Sequence, residues 1–263
     1  MSKKILIVAL AIVAIVGLGI SLQQAFAKNP STNSGQASDI PEQDGIYNVP
    51  GHPELKVRVF VHKAKPSPTP TPVLKCGLGD LDSAAIVDAA GWKLPANWTY
   101  MLNVSSVPSS VGSGNLPIIT TNAFNQWNQA ISNKVSITRG ANTTVTRQNL
   151  DGKNIITWGT ASGSALAVTY IWYNPTTKIV RELDTIMNQK FLWKWSGGNA
   201  TCAWTNAYDA QDILTHELGH WYGLNDEYTS AYVNNTMYGY GSTGDAKADT
   251  LTTGDIAGVV GLY

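Results

Sequence analysis

The sequence predicts an α+β fold. β-rich runs recur up to residue 188, and the first of them, residues 55–63, alternates apolar and polar side chains as a half-buried strand does. Helical patterns dominate from residue 213 onward, and strands followed by helices are the order expected of α+β layering. Residues 76–263 are enough for one sizeable hydrophobic core, and the sequence shows no internal repeat. We therefore expect one main domain over these residues.

Residues 1–27 have the features of a signal peptide. Two lysines precede an uninterrupted apolar run over residues 5–20. Ala25 and Ala27 then supply the two small residues that a signal peptidase recognises before its cleavage site. The alternative is an uncleaved membrane anchor, but this run is shorter than the ~20 apolar residues that span a bilayer comfortably. We therefore expect a secreted, extracellular protein with no stable membrane association after cleavage.

Residues 28–75 separate the predicted signal peptide from the main domain. Within them, residues 55–63 alternate apolar and polar side chains, which predicts a strand. Proline at every second position from Pro66 to Pro72 favours a semi-rigid polyproline II spacer and marks a boundary. Because the residues before this spacer are too few to form a core alone, they are either a pro-segment or a strand that pairs with the main domain.

The main domain opens with two predicted helices and a strand between them. Residues 81–92 begin with an aspartate cap and stop at Gly91, as a helix would. Residues 98–104 predict a strand. Residues 116–132 predict a helix with one apolar stripe, formed by Ile119, Ala123, Trp127 and Ala130.

Four β-rich runs follow, and helices close the chain. The runs begin at Lys134, Lys153 and Ala165, and the last covers residues 178–188. A helix and a glycine-rich loop come next. Residues 252–263 then predict a short helix with a threonine or glycine at its start.

The charge balance excludes some classes of partner. Lys and Arg together number 18, as do Asp and Glu, and charged residues make up 14% of the chain. An average soluble domain has roughly 25% charged residues. Because the net charge is zero, there is no electrostatic reason to expect nucleic acid or an anionic membrane as partner. We expect a monomer.

The stretch ILTHELGHWYGLNDEYT, residues 213–229, carries the strongest chemical signal. On a helix, residues four apart project from the same face, so His216 and His220 can reach one metal ion. Glu217 lies beside the ion without being a ligand. Zinc hydrolases need two such imidazoles, an open position for water, and a carboxylate that takes a proton from that water and passes it to the leaving amine.

A catalytic zinc site needs a third protein ligand. No histidine follows His220, so a site with three histidines is excluded. Gly223 can adopt the positive φ that ends a helix and turns the chain, which would bring Asp226 back beneath the metal. Zinc accepts carboxylate oxygen at about the same distance as imidazole nitrogen. Glu227 is the neighbouring alternative.

The motif HELGHWYGLND resembles the metzincin signature H-E-x-x-H-x-x-G-x-x-H/D, and its Asp form resembles small secreted bacterial metzincins related to snapalysin. This resemblance favours Asp226 as the third ligand. Met237 lies where metzincins have a methionine-containing tight turn under the zinc. The chain end, with Asp255, is similar to the C-terminal helix of matrixins. The resemblance covers most of residues 76–263 and is strongest over 213–263.

The resemblance implies a fold and an activity. The expected fold is a metzincin-type catalytic domain, with a twisted, mostly parallel sheet, an active-site helix and a C-terminal helix. The expected activity is hydrolysis of peptide bonds in an extended polypeptide by a zinc endopeptidase, with Glu217 as general base. Residues 178–188, or the run before them, would hold the substrate by adding it to the sheet as an edge strand.

The chain departs from matrixins in several places. His52 and His62 precede the main domain, so no histidines remain for a second, structural zinc, and we expect one zinc ion (Zn²⁺). Calcium (Ca²⁺) is the other cofactor that the matrixin resemblance allows. Asp184 is either a calcium ligand or an exposed strand residue. Tyr240 is one residue late for the transition-state tyrosine of astacin-type metzincins and could equally line the substrate pocket.

Two cysteines remain in the exported part of the chain. In an oxidising compartment the default is a disulfide between Cys76 and Cys202. The alternative is that Cys76, in KCGLGD, resembles the matrixin cysteine switch, in which a thiolate plugs the zinc of the zymogen. If Cys76 were such a switch, Cys202 would have no cysteine to pair with.

Two rival functions stay open. A non-catalytic extracellular protein could bind a surface or matrix with exposed aromatic residues on the same scaffold. Glu217 argues against it, because a purely structural metal site gains nothing from a base beside the ion. Another zinc hydrolase, such as an amidase, would share H-E-x-x-H but would not need the series of Gly223, Asp226 and Met237.

Overall fold

The computed structural model describes residues 40–65 and 71–263. The predicted signal peptide, residues 28–39 and most of the predicted polyproline spacer (residues 66–70) lie outside the described residues. The described strands are β1 (Gly45–Val49), β2 (His52–Ala64), β3 (Leu74–Cys76), β4 (Asn97–Leu102), β5 (Ser136–Asn142), β6 (Ile155–Gly159), β7 (Ala165–Asn174), β8 (Ile179–Asn188), β9 (Trp193–Lys194), β10 (Cys202–Trp204), β11 (Tyr208–Asp209) and β12 (Tyr240–Gly241). The α-helices in these ranges are α1 (Leu116–Ala130), α2 (Ala210–Tyr222) and α3 (Thr253–Val260).

One large sheet organises the fold, with the order β1-β2-β7-β8-β6-β4-β5 and β12 joined to β2. The α+β prediction is confirmed. A mostly parallel sheet is found only in one half, where β8, β6, β4 and β5 run parallel. In the other half β1, β2, β7 and β8 pair antiparallel, while β12 pairs parallel with β2. Short turns join β1 to β2 and β7 to β8, and such turns connect only antiparallel neighbours.

Strand β2 belongs to this sheet. It pairs antiparallel with β7, from Lys56 opposite Tyr173 to Lys63 opposite Ala165. The strand predicted over residues 55–63 is therefore confirmed. Of the two interpretations of this segment, pairing with the main domain is the arrangement that residues 52–64 adopt.

The helix predicted over residues 116–132 is confirmed as α1, whereas the helix predicted over 81–92 is wrong. Residues 81–88 have no regular secondary structure. Their backbone groups bind other segments, since the N–H of Val87 donates to the carbonyl of Gly254 and the N–H of Ala90 donates to the carbonyl of Gly223. Tertiary contacts of this kind override a local preference for helix.

The main hydrophobic core lies between the sheet and helices α1 and α2, and it fixes the position of α2. The buried indole of Trp127 on α1 donates to the carbonyl of Thr215 on α2 at 2.7 Å. The indole of Trp92 donates to the carbonyl of His220 at 3.0 Å. Each buried aromatic side chain contributes about 1.5–3 kcal/mol relative to an exposed one, so these contacts hold the helix firmly against the sheet.

A disulfide joins Cys76 of β3 to Cys202 of β10, two strands that pair with these residues in register. The default pairing is therefore confirmed. Because the Cys76 sulfur is bonded to another sulfur, it is not the free thiolate that a cysteine switch requires. Among the described residues, no helix combines the length and the apolar character needed to cross a bilayer.

Candidate functional site

Helix α2 carries the motif, and its two ends are set by local chemistry. Asp209 caps the N-terminus, where its carboxylate accepts from the backbone N–H groups of Gln211 and Asp212. Gly223 ends the helix with φ of 103°, in the left-handed region. A Cβ there would also lie 2.2 Å from the carbonyl oxygen of Trp92, so only glycine fits.

The turn at Gly223 brings the predicted ligand atoms of Asp226 and the two histidines close together. The Nε2 atom of His216 lies 3.1 Å from Oδ1 of Asp226, and Nε2 of His220 lies 3.5 Å from the same oxygen. All three side chains are buried, each 2% exposed or less. The geometry therefore brings together the residues that the sequence selected, and it selects Asp226 over its neighbour. The Glu227 carboxylate instead accepts from the backbone N–H of Asp88 at 3.0 Å.

The hydrogen bonds of the two imidazoles leave their Nε2 atoms free for a metal. Nδ1 of His216 lies 2.7 Å from the carbonyl of Thr236, and Nδ1 of His220 lies 2.9 Å from the carbonyl of Leu224. Because a carbonyl only accepts, each Nδ1 carries a proton. Both Nε2 atoms and Oδ1 of Asp226 are buried, and in the described part of the chain they face only one another. Two nitrogens and one carboxylate oxygen form a donor set that fits zinc.

The second carboxylate oxygen of Asp226 is held by a tyrosine. The Tyr228 hydroxyl donates to Oδ2 of Asp226 at 3.1 Å, which leaves Oδ1 directed at the imidazoles. Hydrogen bonds of this kind orient metal ligands. No sequence pattern pointed to Tyr228. Its position two residues after the predicted ligand is the only signal that could have drawn attention to it.

Met237 lies directly under the helix that carries the motif. A hydrogen bond from the N–H of Tyr238 to the carbonyl of Asn235 closes a tight turn around Met237, as predicted for this segment. A Cβ on Gly219 would come within 2.2 Å of the Met237 sulfur, so a glycine between the two histidines permits this approach. The turn also positions the Thr236 carbonyl that binds His216.

Asp255 fixes this turn to α3. Its buried carboxylate accepts from the backbone N–H groups of Thr236 at 2.9 Å and Met237 at 3.2 Å. It also accepts from the N–H of Thr252, while the Thr252 side chain accepts from the N–H of Asp255 in a capping box. The residue that the matrixin resemblance singled out therefore joins the C-terminal helix to the turn that binds His216.

Asp255→Ala is expected to lower the free energy of unfolding by on the order of 3 kcal/mol, because two buried N–H groups of the turn lose the carboxyl oxygens that accept from them. For a domain of this size the melting temperature should fall by about 6–12 °C. Thermal unfolding followed by circular dichroism measures the change. Asp82→Ala is the matched control, since Asp82 also binds the start of α3 but is exposed. An equal loss in both variants would contradict this assignment.

Glu217 projects from α2 toward the sheet, where both of its oxygens are engaged. Oε2 accepts from the Thr169 hydroxyl of β7 at 2.6 Å, and Oε1 lies 3.2 Å from Nδ1 of His62. The Thr169 hydroxyl in turn lies 2.7 Å from that of Thr185, to which the Trp221 indole donates. This chain of hydrogen bonds orients the carboxylate beside the three ligand atoms.

His62 is the residue that the sequence analysis missed. It was assigned to the segment before the main domain, yet its ring packs on that of His216 with centroids 3.8 Å apart. From the same strand, the Phe60 ring stacks on His220 at 3.7 Å. The two-residue period of β2 puts Phe60 and His62 on one face, but nothing local indicated which structure that face would meet.

Charges in the site favour ionised carboxylates. Burial raises the pKa of Asp226, but the imidazoles of His220 and His216 outweigh burial and hold that pKa well below its usual range. Burial also opposes the charged form of His216, yet the Asp226 and Glu217 carboxylates raise its pKa to about 9. Burial, together with His216, lowers the pKa of His62 to about 4.

Two other sequence-based candidates lie away from the ligand atoms. Asp184 was expected to be exposed or to bind calcium. Exposure is wrong, because β8 is covered on both faces and the Asp184 carboxylate accepts from the N–H groups of Asn149 and Ile155. Calcium binding stays a prediction. Tyr240 lies in β12, beside β2, and its ring contacts that of Tyr228 at 5.3 Å.

The arrangement as a whole can hold one metal ion and a base beside it. Among the described residues, two groups place three ligand atoms within 4.8 Å, one formed by His216, His220 and Asp226 and the other by His62, His216 and Glu217. The second group shares His216 with the first, so the two groups lie side by side at one site. No protein-family model and no curated protein matches the chain.

Proposed function

We propose that this protein is a secreted zinc-dependent endopeptidase of metzincin type, similar to matrixins and snapalysin. The observation that carries the proposal is the convergence of His216 Nε2, His220 Nε2 and Asp226 Oδ1, all buried and facing one another with no other group bound to them. Such atoms are costly to bury unless something binds them. The carboxylate of Glu217 beside them adds the base that hydrolysis requires.

Each residue has a defined part in this reaction. A zinc ion supplies Lewis acidity, which lowers the pKa of water and polarises a carbonyl group. His216, His220 and Asp226 would hold the ion, with tautomers fixed by the Thr236 and Leu224 carbonyls. Glu217 takes a proton from the attacking water and passes it to the amine that leaves. Thr169 keeps Glu217 oriented for both transfers.

The position of β7 favours an extended polypeptide as substrate. Thr169 of β7 contacts Glu217, so this strand runs beside the reacting groups. Residues 178–188 were the other candidate, but they form β8, which lies inside the sheet between β7 and β6. The edge of β7 opposite β8 is paired with β2, so a peptide that takes the place of β2 would pair with β7 through its backbone and bring one of its carbonyl groups to the site. This mode of recognition needs backbone hydrogen bonds more than particular side chains.

The test combines metal content with hydrolysis. The protein should bind one zinc ion per chain, and casein should be cleaved only when zinc is present. Since β2 covers the site, hydrolysis is measured on the intact chain and on a chain cut by a site-specific protease between β2 and β3. Removal of zinc with a chelator should stop cleavage, and added zinc should restore it. Zinc binding without hydrolysis by either form would refute the proposed activity.

The burial of the site favours a second candidate, a non-catalytic extracellular binding protein on the same scaffold. His216 and Glu217 are 1% and 0% exposed, so the described arrangement has no opening for a substrate. This candidate predicts retained zinc and no cleavage of casein after β2 has been released. The hydrogen-bonded carboxylate of Glu217 favours the endopeptidase, because a structural metal site has no use for it.

Tyr228→Phe is expected to weaken zinc binding by about 10–100-fold, the usual effect of removing a hydrogen bond to a metal ligand. The phenylalanine keeps the ring but leaves Oδ2 of Asp226 without its donor. Competition with a chromogenic chelator measures the affinity. Tyr238→Phe is the control, since the Tyr238 ring packs against Tyr240 in the same aromatic cluster. Equal affinities in the wild type and in Tyr228→Phe would show that the hydroxyl does not orient the ligand.

A further inference from the structure

We propose that β2 occupies the groove in which a polypeptide substrate would bind, so that the intact chain is held in a closed state by its own N-terminal strand. This inference rests on the proposed function, because it names the element that regulates the same site. Four features of β2 support it: its backbone pairing, the direction of its side chains, its contact with Glu217, and the way it is attached to the rest of the chain.

The backbone of β2 is paired on both sides. On one side it forms an antiparallel ladder with β7, the strand that contacts Glu217 through Thr169. On the other, residues 56–59 pair with β1, and the end of β2 meets the segment that follows Met237. There Lys63 pairs with Tyr240 and the N–H of Lys65 donates to the carbonyl of Gly241 at 2.9 Å. An extended chain held between these two segments lies directly across the metal-binding residues. A peptide added to the edge of β7 would need the same space.

The side chains of β2 fill the space above the ligands. Phe60 and His62 point to the site, and their rings cover those of His220 and His216 at centroid distances of 3.7 and 3.8 Å. Val59 points to the opposite face of the sheet, where it packs in a separate apolar cluster. The two-residue period therefore presents alternate residues of β2 to the site, as a bound substrate would present its own.

His62 also engages the catalytic base. Its Nδ1 atom donates to Oε1 of Glu217, whose other oxygen already accepts from Thr169. With both oxygens engaged, Glu217 is not available to a water molecule on that side. His62 is 3% exposed and Glu217 is fully buried, so solvent does not reach this contact. Hydrolysis consequently requires β2 to move away from the base.

Strand β2 precedes the disulfide-linked part of the chain in sequence, and no disulfide attaches it to the rest of the domain. The Cys76–Cys202 bond follows β2 in sequence and ties β3 to β10. Residues 40–65 are therefore held in place by the sheet pairing and by apolar contacts, such as those of Val57 and Val59 in the cluster with Tyr170 and Trp172. Because these contacts are non-covalent, another extended chain can replace the strand.

The test uses the full chain with residues 66–70 replaced by the recognition sequence of a site-specific protease. After the cut, the N-terminal fragment is exchanged against an excess of a fluorescently labelled peptide with the sequence of residues 52–64. We expect the labelled peptide to bind the cut chain and not the intact chain. A peptide carrying Phe60→Ala and His62→Ala should bind at least about tenfold more weakly, a loss of about 1.4 kcal/mol.

Hydrolysis of casein is the second readout. The zinc-loaded chain should be at least about tenfold more active after release of the fragment than before, as expected if the groove is free in a tenth of intact molecules or fewer. The uncut double variant Phe60→Ala, His62→Ala should also exceed the uncut wild type. Val61→Ala is the matched control, because Val61 lies between these two positions in sequence and so points to the opposite face of the strand.

The outcomes separate the two proposals. If the intact chain cleaves casein as fast as the cut chain, or if the labelled peptide binds both equally, the occupied groove is refuted and the endopeptidase stands. Loss of folded structure on removal of the fragment would also refute it, because β2 would then be a structural strand. If the peptide binds only the cut chain but no form cleaves casein, the groove is supported and the catalytic function is contradicted.

Discussion

Glu217→Gln is expected to lower kcat for casein cleavage by about 10²–10⁴-fold, the contribution of a positioned general acid–base group. Glutamine keeps the size of the side chain and can still accept from the Thr169 hydroxyl, but it cannot take a proton from water. Zinc should stay bound, since Glu217 is not one of the three converging ligand atoms. Steady-state kinetics on the cut chain, with zinc measured in the same samples, gives both quantities.

The retained zinc is the internal control of this experiment. If Glu217→Gln lost its zinc, the fall in kcat would not identify a base. If the variant kept both zinc and full activity, the base would have to be another residue, and the assignment of Glu217 would be wrong. A variant with normal thermal stability, normal zinc content and no activity is the result that the proposed mechanism requires.

Asp226→Ala is expected to weaken zinc binding by more than about 100-fold, beyond the upper end of the range for residues that only orient ligands. The substitution removes the one carboxylate oxygen that meets both imidazoles and leaves Nε2 of His216 and His220 buried with two ligands in place of three. Casein cleavage should be lost with the metal. Zinc content after dialysis and chelator competition measure the effect.

Glu227→Ala is the matched control for this variant. Both positions were candidates for the third ligand, and they are adjacent on the same loop. The Glu227 carboxylate binds the N–H of Asp88, so its removal should affect this surface loop and not the metal. Zinc lost in Glu227→Ala but kept in Asp226→Ala would reverse the ligand assignment.

Short-range spacing made part of the site predictable. His216, Glu217 and His220 lie on one helix, so their relative positions follow from helical geometry alone. Asp226 follows the glycine that ends this helix, and the observed φ of 103° at Gly223 is the conformation that the turn needed. Residues this close in sequence have few ways to be arranged once the helix is in place.

Long-range pairing could not be predicted in the same way. His62 and Glu217 are 155 residues apart, and their contact depends on β2 joining β7, a partner that the alternation of residues 55–63 does not specify. The exposure expected for Asp184 was wrong for a related reason. In a strand that is buried on both faces, the order of polar and apolar residues no longer tells which side chains are exposed. The Ala-rich residues 81–92 failed to form a helix because other segments bound their backbone groups.

The most direct test of the central claim is a crystal structure of the zinc-loaded protein, with anomalous scattering measured on both sides of the zinc absorption edge. We expect one anomalous zinc peak within residues 71–263. It should lie about 2.0–2.1 Å from Nε2 of His216 and of His220 and about 2.0–2.2 Å from a carboxylate oxygen of Asp226. Glu217 should lie outside the ligand set. A peak elsewhere, or zinc bound through Glu217 in place of Asp226, would contradict the account.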